Sequence, residues 1–384
     1  MKAILLTDII RYPLTGIGRY TLELVKQFDE MGAGVKCVGE FEKHFLSQNE
    51  GWDIKKSSRS SLDTNFRLLL KSHPLIFRAY PYLRSLKEKY YLRKYQDYVV
   101  HSPNYYLPNT KSKRIVTIHD LSMFFFPDCF EIGKNRMMQE VCLKALRGSN
   151  AIITISQAVK EDICSFFSYP VEKVYVTPLA CGGAYRPRAY LECGNILKKF
   201  NLLYKSFTLY VGTIEPRKNL SFLIRTYKEL PYDVRMSKPL VVVGYKGWRS
   251  EKEHELMHNA ANEGWLVYLS YVSDEDLFCL YSSCSVFCLP SLYEGFGLPV
   301  LEAMSSGVPV VCSKVPALQE VGGNAPVFAD IGDTEAWKRA IFRCLEDVPF
   351  NEKRSQLGLT RAKDFSWSNC AKLTLSVYNQ TLQD

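Results

Sequence analysis

The chain has 384 residues, 47% of them hydrophobic and 23% charged, with a net charge of +9. This length exceeds one ordinary core and predicts two domains, and the composition excludes a disordered or fibrous chain. No apolar run is long enough to span a bilayer. The opening MKAILLTDIIRYP is charged too early for a secretion signal and reads as a first buried strand, so a cytoplasmic location is expected.

Short β-rich runs alternate with helical patterns along the whole chain, which predicts parallel sheets with crossover helices. The first half offers strands at Ala3–Thr7, Val35–Val38, Tyr98–His101, Ile115–His119, Ala151–Ile155 and Val174–Thr177. Gly16-Ile17-Gly18-Arg19 follows the first of these and opens a helical stretch, Tyr20–Met31. The third glycine of a dinucleotide fingerprint is missing, because Thr21 stands there. A tight turn beside a phosphate or an acceptor fits better, with Arg19 reaching an anion.

Residues 55–98 hold eleven Lys/Arg against Asp63, Glu88 and Asp97, with Phe66, Phe77, Tyr80, Tyr82, Tyr90 and Tyr91 interleaved. The pattern fits a patch on an anionic membrane surface, or else two ordinary surface helices. No recognised nucleic-acid module accompanies it, so no nucleic-acid partner is expected. His119-Asp120 ends the fourth strand. The stretch from Ala180 to Tyr204 lacks a strand and contains Cys181-Gly182-Gly183 and Pro187. The expected domains are therefore 1–182 and 206–365, joined by a linker at 183–205, with a last helical segment, 366–384, free to pack elsewhere.

The second half offers strands at Thr208–Gly212, Leu240–Gly244, Leu266–Ser270, Val286–Pro290, Val308–Cys312 and Val327–Ala329. The first ends in Gly212-Thr213-Ile214-Glu215-Pro216-Arg217-Lys218-Asn219, which sets two adjacent cations beside a strand end. His254-Glu255-Leu256-Met257-His258 matches a zinc-protease pattern, but no third ligand follows it. Asp274-Glu275-Asp276 resembles an acidic metal site, yet Ser273 three residues before Asp276 marks a helix start. No metal or other cofactor is expected. The twelve cysteines form no Cys-x-x-Cys pair and read as buried free thiols.

The most informative segment is SLYEGFGLPVLEAMSSGVPVV. Gly295-Phe296-Gly297 opens onto a helical pattern, Leu298–Ser306, with Pro299 suited to its first turn and Gly307 to the position past its end. Exposed amides at such a start attract anions. Glu294 lies just before the loop and Glu302 about a turn into the helix. This arrangement is a phosphate cradle flanked by two hydroxyl acceptors, which suits a nucleotide sugar. Cleaving a sugar–phosphate bond places negative charge on the leaving diphosphate. Arg217, Lys218 and the Gly295–Leu298 amides are the groups to receive it.

The segments TGIGRY, VTIHDLS, ITISQAVKEDI, YVGTIEPRKN, YVSDEDLFCLY and PSLYEGFGLPVLEAMSSGVPVV resemble those of the retaining glycosyltransferases of family 4 over most of the chain. The resemblance implies an α/β GT-B fold: two doubly wound, Rossmann-like domains facing across a cleft, with a C-terminal helix crossing back to the first. It implies that Arg217 and Lys218 bind the donor diphosphate, Glu294 meets the donor sugar near the reaction centre, and Glu302 binds the ribose. Phe296, Gly297 and Leu298 would hold oxygens through their amides. Gly16 and Gly18 would lie against the donor phosphate and the acceptor, His119 beside the transferred sugar, and the backbone at Val272 against the base. Gly16, Arg19 and Asp120 are assigned to the acceptor side. The runs IHDLSMFFFPDCF and GTIEPRKN look like those of bacterial O-antigen and exopolysaccharide mannosyltransferases. They imply α-mannose from GDP-mannose passed to a lipid-linked glycan at the inner face of the membrane. GDP-rhamnose, dTDP-rhamnose and UDP-hexose donors stay open, as do a non-catalytic scaffold and a nucleotide-sugar epimerase.

Overall fold

The computed structural model describes residues 1–11, 14–39 and 89–384. Most of the basic stretch, 55–88, lies outside the described residues. All twelve predicted strands are present, with bounds shifted by a residue or two.

The first sheet contains β1 (Ala3–Leu6), β2 (Lys36–Val38), β3 (Val99–Ser102), β4 (Lys113–Ile118), β5 (Ala151–Thr154) and β6 (Val174–Val176), in the order β2-β1-β3-β4-β5-β6. β1, β3 and β5 are buried along their whole length, as near-continuous apolar runs in a parallel sheet require. The second sheet contains β7 (Thr208–Val211), β8 (Leu240–Val243), β9 (Leu266–Leu269), β10 (Val286–Leu289), β11 (Val310–Ser313) and β12 (Val327–Ala329), in the order β12-β11-β10-β7-β8-β9. β7 pairs in parallel with both β8 and β10. The strand order therefore reverses between β7 and β10, and ligands of doubly wound sheets bind beyond the carboxyl ends of strands at such a switch point.

Two compact units emerge. One gathers Met1–Ile118, Val141–Ile153 and Ala371–Asp384, the other His119–Glu140 and Thr154–Cys370. The last helix, Trp367–Gln383, thus lends most of its length to the first unit. Its Tyr378 is fully buried there, its hydroxyl 2.7 Å from His101 Nδ1, and His101 Nε2 lies 2.8 Å from Thr117 Oγ1. This chain of polar groups fixes the helix at one orientation, because a buried imidazole nitrogen left unpaired would be costly.

The stretch expected as a linker contains a helix that its sequence did not announce. Residues Tyr190–Lys199 form a helix, with Glu192 accepting from the Ala189 amide. Its buried Cys193 lies against Ser282 of the helix Asp274–Ser283, and Lys199 pairs with Asp276 at 2.7 Å. The apolar positions Cys193 and Leu197, four apart, carry that burial. Ser273 accepts from the Asp276 amide, so the acidic triplet opens a helix as its spacing predicts.

Candidate active site

The second unit holds a tight ionic cluster at the carboxyl ends of β7 and β10. After β7 the chain turns through Pro216–Lys218 and leaves by Asn219 in the left-handed region, φ 55°. That turn presents Arg217 and Lys218 together. After β10, Ser291–Glu294 runs alongside, and the Leu292 amide donates to the Arg217 carbonyl at 2.8 Å. Lys218 Nζ lies 2.6 Å from Glu294 Oε1, and Ser291 Oγ donates to the same oxygen at 2.7 Å. Arg217 reaches Glu215 at 2.6 Å, the Tyr293 carbonyl at 2.8 Å and Glu294 Oε2 at 3.6 Å. The Arg217 and Lys218 side chains are each 12% exposed and that of Glu294 8%, so the charges interact with little screening by water. Burial opposes ionisation of Glu294, but Lys218 and Arg217 outweigh it and hold the carboxyl below its usual range. Arg217 is likewise opposed by burial, yet Glu294, Asp120 and Glu215 hold it protonated.

The glycine loop behaves as its spacing predicts. Gly297 has φ 102°, and a Cβ there would lie 2.3 Å from Leu318 Cδ2. It feeds the helix Leu298–Ser305, whose first bonds run from the Val300 and Leu301 amides to the Gly297 carbonyl. Phe296, Gly297 and Leu298 precede those bonds, so their N–H groups have no partner within the helix. The Phe296 ring is buried edge-on against Phe365. Within the helix, Glu302 accepts from the buried Tyr281 hydroxyl at 2.9 Å.

His119 and Asp120 follow β4 and belong to the same unit as this cluster. A Cβ on Gly295 would fall 2.2 Å from the His119 carbonyl oxygen and 2.9 Å from Asp120 Cβ. Only glycine permits that approach. Gly295→Ala is expected to cost about 1–3 kcal/mol through forced backbone movement, together with most of the activity. Thermal unfolding and turnover measured on one preparation check this, and a variant with wild-type values of both would remove the contact from the argument. Asp120, expected on the acceptor side, accepts from Ser122 N and Oγ at 2.8 and 2.6 Å, and its charge acts on Arg217.

Gly16, Gly18 and Arg19 lie in the first unit, at the start of the helix Gly16–Glu30. Thr15 accepts from the Gly18 amide at 3.2 Å. A Cβ at Gly18 would sit 3.3 Å from the Ile9 carbonyl, but one at Gly16 would meet no described atom within 4 Å. Packing therefore accounts for the second glycine and not for the first. Val272 lies in the turn between β9 and the helix Asp274–Ser283, next to the exposed Tyr271, whose ring stacks on Tyr245 at 5.7 Å.

Several partners escaped the sequence. Ser156 donates to the Gly295 carbonyl at 2.6 Å while accepting from the Val159 amide. Tyr293 donates to Asp162 at 2.9 Å and accepts from the Leu121 amide. Tyr245 also carried no linear signal, and Tyr271 and Tyr281 stood at the two ends of YVSDEDLFCLY without an assigned role. His254 packs its ring on Tyr268, and His258 lies 3.2 Å from Asn262. Among the described residues no group of three His, Cys, Asp or Glu is placed to hold a metal ion.

Residues 196–361 match the family described as glycosyl transferases group 1, and residues 14–180 match glycosyltransferase family 4. The chain is 40% identical to O-antigen chain mannosyltransferase B of Escherichia coli over 98% of its length and 99% of that protein's. It is 26% identical to O-antigen chain mannosyltransferase RfbU of Salmonella typhimurium over 72% of each. Among solved structures, sucrose-phosphate synthase from Thermosynechococcus elongatus superposes with a TM-score of 0.71 at 18% identity, covering 99% of both chains.

Proposed function

The chain belongs to glycosyltransferase family 4, and we propose that it transfers an α-mannosyl residue from GDP-mannose to a glycan acceptor in cell-surface polysaccharide synthesis. The names of the two relatives given above, both mannosyltransferases, support the sugar. The observation that carries the chemistry is the buried set of Arg217, Lys218 and Glu294 beside the amides of Phe296–Leu298.

In this proposal the donor diphosphate takes Arg217 and Lys218 as its counter-ions, and the amides of the glycine loop receive the remaining oxygens. Glu294 then accepts hydrogen bonds from the donor sugar's hydroxyls. Tyr281 orients Glu302 toward the ribose, and the Val272 main chain contacts the base, with Tyr245 and Tyr271 as an aromatic platform. His119 stands beside the transferred sugar. Gly16, Gly18 and Arg19 face the donor phosphate and the acceptor, and the room at Gly16 suits close approach by a ligand. The acceptor oxygen attacks the anomeric carbon from the face the diphosphate leaves, and its proton passes to the departing phosphate oxygen. The two cations supply the charge that a metal ion supplies elsewhere, so no metal is assigned.

Incubation with GDP-mannose, dTDP-rhamnose or UDP-glucose, each with lipid-linked glycan extracted from the producing cells, tests this reading. The mass of the added residue separates hexose from deoxyhexose, and its anomeric signal reports retention. Transfer from UDP-glucose or dTDP-rhamnose but not from GDP-mannose would overturn the mannose assignment. An epimerised sugar formed without acceptor would favour an epimerase.

We further propose peripheral attachment to anionic membrane through residues 55–98. In its described end Tyr90 and Tyr91 are exposed, and the Arg93 guanidinium lies 4.8 Å over the Tyr90 ring. Neutralising Arg84, Lys87, Lys89, Arg93 and Lys94 should release the protein from phosphatidylserine vesicles, at about 1 kcal/mol per charge. Equal sedimentation of both proteins with the vesicles would remove the assignment.

A further inference from the structure

We propose that a pocket beside Trp248 binds a neutral pyranose of the acceptor glycan, one or more sugars away from the reacting hydroxyl. The proposal rests on the glycosyl-transfer reading above and names a part of its substrate. The pocket has a volume of about 440 Å³ and is lined by Phe130, Glu131, Ile132, Gly133, Trp248 and Arg249. That volume suits a small organic ligand.

Both walls are anchored to the ionic cluster. On one side Gly247 donates to the Ile214 carbonyl at 2.9 Å and Ile214 donates to the Tyr245 carbonyl at 2.9 Å, so the loop carrying Trp248 runs beside the segment leading to Arg217. A Cβ on Gly247 would fall 2.5 Å from the Ile214 carbonyl oxygen, which shows how closely the two segments approach. On the other side Cys129, next to Phe130, lies close enough to Arg217 for that residue's main chain and charge to act on its thiol. The pocket is thus built onto the same turn that presents the two cations.

Its chemistry selects a neutral, two-faced ligand. Trp248 is 47% exposed and Ile132 80%, a combination that leaves apolar surface in water where a turn meets the start of the helix Ile132–Gly148. The Lys134 ammonium lies 5.6 Å from the centre of the Trp248 ring, which holds the indole in place by a cation–π contact. Arg249 adopts φ 50°, a left-handed conformation that is unfavourable for a residue other than glycine and that clusters at ligand sites. Its guanidinium lies 3.7 Å from Asp128. Lys134 and Arg249 therefore balance Asp128 and Glu131. A phosphate or a carboxylated sugar gains no net attraction from such a set. A neutral pyranose fits it: the indole takes the ring face that presents C–H bonds, the carboxylates accept from hydroxyls, and the guanidinium donates to sugar oxygens.

The test titrates α-linked mannotriose into the full chain while tryptophan fluorescence is followed. Trp265, Trp337 and Trp367 are 1, 0 and 9% exposed, so a sugar at this pocket perturbs Trp248 before them, and the Trp248→Phe variant separates its signal from that of Trp52, which lies outside the described residues. A saturable change in the wild type that is lost in Trp248→Phe is expected. In turnover assays Trp248→Ala should raise the acceptor KM by about tenfold, the loss of one aromatic anchor, with the donor KM unchanged. No fluorescence change in the wild type, a change that persists in Trp248→Phe, or an unaltered acceptor KM would each overturn the proposal. The wild-type titration decides even if the alanine variant fails to fold. Failure of sugar transfer from every donor would count against the enzymatic reading instead, and the titration would still report on the pocket.

Discussion

Lys218→Ala is expected to lower turnover by about 10²–10³-fold, the usual loss when one preorganised donor to a developing negative charge is removed. The ammonium lies 2.6 Å from Glu294 and is shielded from water, so in the proposed clamp it would meet the leaving diphosphate at low dielectric, where each charge counts for most. The same contact means that the substitution also removes a partner from a buried carboxylate. Ser291 and Arg217 still serve Glu294, so the folded state keeps most of its compensation. The fall in kcat should therefore far exceed any loss explained by the folded fraction, with the donor KM moving less than kcat because the contact strengthens as charge develops. Steady-state kinetics and thermal unfolding on the same sample decide it. A well-folded variant with unchanged kcat would remove Lys218 from the chemistry and with it the reading of the cluster as a diphosphate clamp.

The parts of the fold written in short-range pattern were legible, and those that depend on distant pairings were not. Strands such as Ala3–Leu6 and Leu240–Val243 are buried on both faces, so they appear as unbroken apolar runs. Gly297 and Gly307 are fixed by their own backbone, at φ 102° and 69°, and so mark both ends of the Leu298–Ser305 helix in the sequence. Glu302 was visible inside the helix that the glycine loop opens, and Glu294 and the two cations because each stands on a loop after a strand. Their meeting follows from the β7–β10 pairing, which no local signal states. Ser156 and Tyr293 are a different case: their partners Gly295 and Asp162 stand more than a hundred residues away, and a lone serine or tyrosine carries no spacing to read. The helix Tyr190–Lys199 was missed because Gly182, Gly183 and Pro187 suggested a linker, while Cys193 and Leu197 are too sparse an apolar stripe to outweigh them.

Glu294→Gln should be the more damaging change at neutral pH. It leaves the shape of the side chain but deprives Lys218 of its carboxylate at 2.6 Å and Arg217 of one of the three carboxylates that act on it. Breaking one side of a buried ion cluster costs about 3–5 kcal/mol, and replacing one accepting oxygen by an amide donor should lower turnover as well. The pH dependence has a definite sign. The folded carboxyl is held below its ordinary value, so its stabilisation is complete above the unfolded carboxylate pKa and fades as pH falls through the lower folded value. The gap in melting temperature between wild type and Glu294→Gln should therefore be widest above about pH 5 and close in more acidic buffer, given an unfolded Glu near 4.3. A gap that grows on acidification would contradict the ionised cluster. GDP adds a second discrimination. Its diphosphate brings the negative charge that the variant lacks, so saturating GDP should raise the melting temperature of Glu294→Gln by more than it raises that of the wild type. An equal rise in both would mean that the diphosphate does not engage Arg217 and Lys218, and the clamp would have to be sought elsewhere on the second sheet.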